Sequence, residues 1–352
     1  MSPRPVGFYV HHHGSGHANR TRLLAARLAP GVPVHVFTSA PEAFADWTRG
    51  TVHPLPADTV PERDPRQDLL SDEVLHYAPV DLAPLQNRMA LLANWFATAR
   101  PEYFVVDLSV EIALFARLCG VRTALMRLHG HRDDPAHRAA FGLAEHLLAP
   151  FPEILEDAHT PAWVRRKTTY LGAFSRYDAR TESRSEARRQ LALPDEARVL
   201  TVVNGTGGGA QDQSRWTAIA RACPDWIVLL VGFLSATGGS VPNLRPVGRV
   251  ADTFPYLKAA DVVVGSGGTN TMMEIGAARV PFLSLPEKRP FGEQRCKMEA
   301  LARLGLTEIG DPELPPRSWP ALLEHVRRMD TSDWDLVFVK NAEADDPFRN
   351  LA

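Results

Sequence analysis

The sequence predicts an α/β fold built from two doubly wound halves. Three observations predict it. The chain has 352 residues, more than one hydrophobic core usually serves, so two domains are the default expectation. Short apolar runs alternate with helical patterns, as they do when a parallel sheet is covered on both faces. The alternation breaks between about residues 150 and 180 and then begins again.

In the first half the expected strands are "GFYV" (7–10), "VHVF" (34–37), "YFVVD" (103–107), "RTALM" (122–126) and "HLLA" (146–149). Helical stretches lie at 17–29, 86–99 and 110–119. The segment 51–85 carries Pro54, Pro56, Pro61, Pro65, Pro79 and Pro84 with acidic residues between them. It reads as a long, partly irregular excursion, either a substrate-side loop or plain surface. In the second half the strands are "RVLTVV" (198–203), "WIVLLV" (226–231), "LRPVG" (244–248), "DVVVG" (261–265) and "PFLSL" (281–285). Helices fit 210–221, 252–259, 270–278, 293–304 and 318–328. The expected domains are 1–165 and 166–330, with a polar, acidic tail at 331–352 that either docks as a terminal helix or frays.

Composition narrows the function. Hydrophobic residues make up 45% and charged residues 23%, an ordinary globular balance. A net charge of -2 argues against a general polyanion binder, so nucleic acid is not an expected partner. Cys119, Cys223 and Cys296 are widely spaced and form no C-x-x-C, so neither a disulfide framework nor a zinc cage is indicated. No charged leader precedes a long apolar stretch, and no apolar run reaches about 18 residues. The expectation is a cytoplasmic protein, monomer or homodimer, with peripheral membrane contact left open.

Two glycine-rich turns carry the chemistry. Gly14-Ser15-Gly16-His17 follows the first strand, where doubly wound folds bind ligands. The dinucleotide fingerprint G-x-G-x-x-G fails, because Asn19 stands where the third glycine belongs, and the second strand ends in Thr38-Ser39 without a ribose-binding acid. No G-x-x-x-x-G-K-[ST] phosphate loop is present. His11, His12 and His13 alternate faces if the strand continues, so they cannot share one metal, and packing or exposure is the expected fate of at least two of them. His17 lies in the first helical turn and points at the crevice, where a neutral imidazole can take a proton from a hydroxyl group. Its alternative is a capping or packing role. Asp107 ends a strand and can orient that ring, or can cap the following helix.

The second turn lies in "ADVVVGSGGTNTMMEIGAARVPFLSLP" (260–286). Gly267 and Gly268 let a ligand approach the backbone, and a helix starting near Thr269 and Asn270 offers free N–H groups to a diphosphate. Glu274, about one turn in, can accept hydrogen bonds from both hydroxyls of a ribose, or stand in solvent. Asn204-Gly205-Thr206-Gly207-Gly208-Gly209 is another such turn, either a phosphate cover or a mobile loop. "RLHGHRDDPAH" (127–137) supplies His129, His131 and Arg132 as acceptor-pocket candidates, while Asp133 or Asp134 caps the helix after Pro135. Asp333-Trp334-Asp335 has the D-x-D form of metal-dependent sugar transferases but lies in the tail, away from any strand end, and reads as chance.

These residues resemble the GT-B glycosyltransferases, and most closely the branch of the lipid-II-forming N-acetylglucosaminyltransferase and the monogalactosyldiacylglycerol synthases. "HGSGHANR" resembles that branch's N-terminal loop, with His17 in the histidine's place, and "GSGGTNTMMEIGAARVPFLSLP" followed by "FGEQR" resembles its C-terminal signature. The resemblance implies two Rossmann-like domains facing across a cleft, the N-terminal one binding the acceptor and the C-terminal one a nucleoside diphosphate sugar. It implies that Val250 reads the nucleobase through its backbone, that Asn204, Gly205, Thr206 and Gly207 cover the diphosphate with Gly16, Gly267, Gly268, Thr269 and Asn270, that Glu274 holds the ribose, and that Glu293 and Gln294 meet the donor sugar. Glu293 departs from the usual glutamine or aspartate. The implied reaction is an inverting displacement without metal or other cofactor, with His17 as base and uridine as the default nucleoside. The acceptor is a hydroxyl-bearing metabolite, lipid or glycan. "GSGHANR" also resembles G-x-G-H-x-x-R in the UDP-sugar hydrolase of the pseudaminic acid pathway, which His17 and Arg20 fit. A non-catalytic nucleotide-sugar-binding subunit is the third reading.

Overall fold

The computed structural model describes residues 3–12, 15–58, 74–173, 175–205, 213–233 and 241–338. The described chain divides into two compact units. The first holds residues up to Pro150 and His159–Leu171; the second holds Phe151–Ala158 and residues from Gly172 onward.

The first unit contains strands β1 (Val6–Val10), β2 (Val34–Thr38), β3 (Thr51–Pro54), β4 (Tyr103–Asp107), β5 (Thr123–Met126), β6 (His146–Ala149) and β7 (Thr168–Tyr170). Its helices are α1 (Ser15–Ala25), α2 (Ala83–Ala99), α3 (Val110–Leu118), α4 (Pro135–Leu143) and α5 (Ala162–Lys167). The strands pair in parallel in the order β3-β2-β1-β4-β5-β6-β7. Every residue of β1 and of β4 is buried, as continuous apolar strands covered on both faces must be. The chain winds outward from β1 through β2 to β3, then returns to β4 and winds the other way. The winding therefore reverses between β1 and β4, and Tyr9 lies beside Val106 there. An aromatic core backs this sheet: Phe96 meets Phe104 edge-on at 4.8 Å and Trp95 meets Phe37 at 4.8 Å.

The second unit contains β8 (Arg198–Val203), β9 (Trp226–Val231), β10 (Leu244–Gly248), β11 (Val262–Gly265), β12 (Phe282–Ser284) and β13 (Glu308–Ile309). Its helices are α6 (Arg184–Gln190), α7 (Gln213–Ala222), α8 (Phe254–Ala259), α9 (Thr269–Ala278), α10 (Glu293–Ala302), α11 (Trp319–Val326) and α12 (Trp334–Val337). The order β10-β9-β8-β11-β12-β13 is again all parallel, and it reverses between β8 and β11. Trp216 and Trp319 meet edge-on at 5.4 Å in its core.

Two expectations change, and one open alternative is decided. The excursion 51–85 is not irregular at its start, because 51–54 is the edge strand β3 beside β2. The break at 150–180 contains β7, which adds a seventh strand to the first sheet. The start of the tail docks by α12, while residues 339–352 lie outside the described residues: Trp334 is fully buried, and a Cβ on Gly276 would fall 2.5 Å from its ring, so the close approach requires glycine there. Among the described residues, no helix is long and apolar enough to cross a membrane.

Candidate active site

The reversal of winding in the first sheet sets the helix after β1 beside the end of β4. His17 is the third residue of α1 and Asp107 the last of β4. Asp107 does not cap α3; Ser109 does, accepting from the Ile112 amide. The Asp107 carboxylate instead receives His17 Nδ1 at 2.9 Å and Arg20 Nη2 at 2.9 Å on both oxygens, with Arg20 Nε at 3.3 Å. Arg20 Nη2 also lies 3.1 Å from His17 Nδ1. A carboxylate only accepts and a guanidinium only donates, so the hydrogen on Nδ1 points to Asp107 and the Arg20 approach is a packing contact. The tautomer this selects leaves the Nε2 lone pair of His17 open. Burial alone would raise the Asp107 carboxyl, but Arg20 and His17 together hold it far below the usual carboxylate range.

The neighbouring histidines do other things. β1 ends at Val10, so His11 and His12 do not continue the strand; their rings stack at 4.6 Å. Burial, then the nearby His17 and His12, push His11 down to about 4. His13 and Gly14 lie outside the described residues, and Gly16 is half-buried at the start of α1.

The acceptor candidates separate. His129 is 1% exposed and its carbonyl accepts from Arg132 Nε at 3.1 Å. His131 is exposed and faces the His159 ring at 4.0 Å. Arg132 donates to His137 Nε2 at 3.2 Å. Asp134, not Asp133, caps α4, and it also receives His76 Nε2 at 2.9 Å and His137 Nδ1 at 2.5 Å. His76, Asp134 and His137 form a cluster of donors of metal-binding type, but with Arg132 on Nε2 the His137 ring keeps its hydrogen on Nδ1, directed at Asp134, and has no lone pair for an ion there. This cluster and the buried Arg88, which bonds Tyr9 Oη at 2.5 Å and Asp58 at 2.7 Å, escaped the sequence reading.

In the second unit the loops after β8 and β11 adjoin where the winding reverses. A Cβ on Gly205 would sit 3.8 Å from Thr271 Oγ1 in the first turn of α9. Asn204 Oδ1 is buried without a hydrogen-bond partner among the described residues. Gly267 has φ +88°, open to glycine and strained for other residues. Gly268 precedes α9, whose first residues are Thr269 and Asn270. Glu274 is not in solvent: its side chain is 12% exposed, and it accepts from Arg176 Nε at 2.9 Å and from Thr253 Oγ1 at 3.2 Å. Burial raises its carboxyl above the ordinary range, and Arg176 opposes that. Val250, half-buried, begins the loop to Thr253, so the stretch expected to read a base runs to a residue bonded to Glu274. Gln294 is 5% exposed, and its carbonyl takes the Glu287 amide at 2.8 Å, leaving its NH2 for another partner. Glu293 pairs with Lys297 at 3.1 Å. Thr206 and Gly207 lie outside the described residues. Arg176 and Lys297 were missed; the second was visible only as a Glu-x-x-x-Lys spacing on a helix.

No family model matches the chain. An uncharacterized glycosyltransferase of Methanosarcina acetivorans is 33% identical over 95 residues, 27% of this chain and 24% of that protein. The UDP-N-acetylglucosamine–N-acetylmuramyl-(pentapeptide) pyrophosphoryl-undecaprenol N-acetylglucosamine transferase of Nocardia farcinica is 33% identical over 150 residues, 39% of each chain. These two matches span well under two thirds of the relatives' own length. The enzyme of the same description from Mycolicibacterium paratuberculosis is 28% identical over 300 residues, 76% of this chain and 69% of that one. Among solved structures, the glycotransferase of kitacinnamycin superposes with a TM-score of 0.69 at 16% identity, covering 100% of this chain and 95% of that one. Acinetobacter baumannii MurG gives 0.64 at 14% identity over 94% of both chains. The spinosyn rhamnosyltransferase SpnG, solved with thymidine diphosphate, gives 0.58 at 16% identity, covering 86% of this chain and 85% of that one. Two parallel, doubly wound sheets and these neighbours agree that the chain has the GT-B fold, and its sequence is similar to glycosyltransferases over part or most of its length.

Proposed function

We propose that the protein transfers a sugar from a nucleoside diphosphate sugar to an acceptor hydroxyl, with inversion and without a metal ion. The observation that carries this reading is the His17–Asp107–Arg20 arrangement, in which the tautomer and the charge on the ring's partner are both those of a general base. His17 Nε2 takes the hydroxyl proton as the oxygen attacks the anomeric carbon, and Asp107 stabilises the imidazolium that results. The first unit supplies the base and the acceptor contacts, with His131 and Arg132 in the loop after β5; His129, expected beside them, is buried and is left out of that pocket. The second supplies the donor contacts: Val250 for the base, Glu274 for the ribose, the turn Gly267–Asn270 for the diphosphate, and Gln294 with Glu293 for the sugar. Amides at the start of α9 stabilise the departing diphosphate. Uridine is the favoured nucleoside, and thymidine the first alternative.

The test is turnover of UDP- and TDP-sugars with and without a panel of hydroxyl acceptors. Transfer is expected to require an acceptor and to survive EDTA. His17→Ala is expected to lower kcat by about 10²–10⁴-fold with donor KM little changed, and Asp107→Asn to lower it in the same direction by releasing the tautomer. Rapid release of free sugar from donor alone would favour the hydrolase, which the Arg20 position also fits. Unchanged turnover in His17→Ala would remove the proposed base.

A further inference from the structure

Lys297 has no part in the functions assigned so far, yet it is the buried cation in contact with the glycine turn. It lies on α10 with 1% exposure. Its ammonium donates to the Gly267 carbonyl at 3.2 Å, to Thr269 Oγ1 at 2.8 Å and to Glu293 Oε1 at 3.1 Å. The next residue, Met298, presses on the same turn: a Cβ on Gly267 would fall 2.9 Å from its Cγ. A lysine withdrawn from water is costly to keep, and a hydrocarbon side chain would fill the space without that cost.

Two consequences follow from the donor directions. A trans peptide sets its C=O and the next N–H on opposite sides. With the Gly267 carbonyl turned toward Lys297, the Gly268 N–H points away from Lys297. A hydroxyl that accepts from an ammonium must aim its own hydrogen elsewhere. Thr269 is the first residue of α9, so its O–H is released to donate beside the free amides of that helix. The Glu293 partner is 22% exposed, so the carboxylate sits on the solvent side of the pair and the ammonium on the side of the turn.

We propose that Lys297 is a positioning residue for the diphosphate: it aims the Gly268 amide and the Thr269 hydroxyl at the anion and adds its own charge behind them. This rests on the donor-site reading above. It also accounts for glutamate at 293, which holds the ammonium in place.

The experiment compares wild type, Lys297→Met and the double variant Glu293→Gln/Lys297→Met, in which no carboxylate is left unpaired should the single variant fail to fold. UDP, TDP and GDP are titrated by calorimetry, and the nucleoside of whichever binds is measured by saturation-transfer NMR. The expected result is a loss of tenfold or more in diphosphate affinity, nucleoside affinity within about twofold of wild type, and donor KM raised in step. Unchanged diphosphate affinity in a folded variant overturns the proposal. So does a parallel loss of nucleoside and diphosphate binding, which assigns Lys297 to structure alone. If the wild type binds none of the three diphosphates, the donor-site reading itself falls and takes this inference with it.

Discussion

His137 and Asp134 show how strongly a buried polar group depends on its immediate partners. His137 has a 4% exposed side chain held between Arg132 and Asp134. Burial first, and Arg132 next, push it down to about 4 against the pull of Asp134. Burial would raise Asp134, but the His137 amide and the two histidine side chains hold it at about 2. The folded state therefore binds fewer protons than the unfolded chain once pH drops below the ordinary histidine value of 6.5. Stability is full above that value and is lost as pH falls toward 4, with a further loss from Asp134 below about 4. Unfolding free energies from urea titrations at pH 7 and pH 4.5 are expected to differ by on the order of 1–3 kcal/mol through His137. His137→Gln should flatten the profile without removing it, because His11 titrates in the same direction. An unchanged slope in that variant would show that His137 is protonated in the folded protein.

Elements differ in how much of themselves they advertise. The strands β1, β4, β8 and β9 are buried runs, and their apolar stretches are plain in the sequence. β3, "TVHP", is a half-exposed edge strand, and β7 and β13 are short, so none has a continuous apolar run to reveal it. Helix α6, "RSEARRQ", is mostly polar and is not among the expected helices; its Ser183–Glu186 capping box is the local signal that marks its start. At the far end of the chain, α12 is held by Trp334 over Gly276. Trp334→Ala is expected to destabilise the second unit by about 3–5 kcal/mol in denaturant titration. Trp334→Phe should recover most of this, since the indole Nε1 is buried with no hydrogen-bond partner among the described residues. A loss below about 1 kcal/mol in the alanine variant would mean that the tail is not anchored there.

For the whole molecule, two separate cores imply that a nucleotide acts first on one of them. A nucleoside diphosphate at about 100 times its Kd should stabilise the unit that binds it by about 2.7 kcal/mol. Amide hydrogen exchange is expected to slow most in residues 250–276 and around Asn204 and Gly205. Protection confined to the sheet of the first unit would reverse the assignment of donor and acceptor sides. The alternation of strands and helices, the two glycine-rich turns and the placing of His17 just past a strand were all legible in the sequence, because each follows from neighbours within a few residues. Which partner each charged group takes was not. Arg20 is 87 positions from Asp107, Arg176 is 98 from Glu274, and Lys297 is 30 from Gly267. Local periodicity carries no record of such separations; only the reversal of winding in each sheet, and the packing of α10 against the turn after β11, brought these groups within hydrogen-bonding distance.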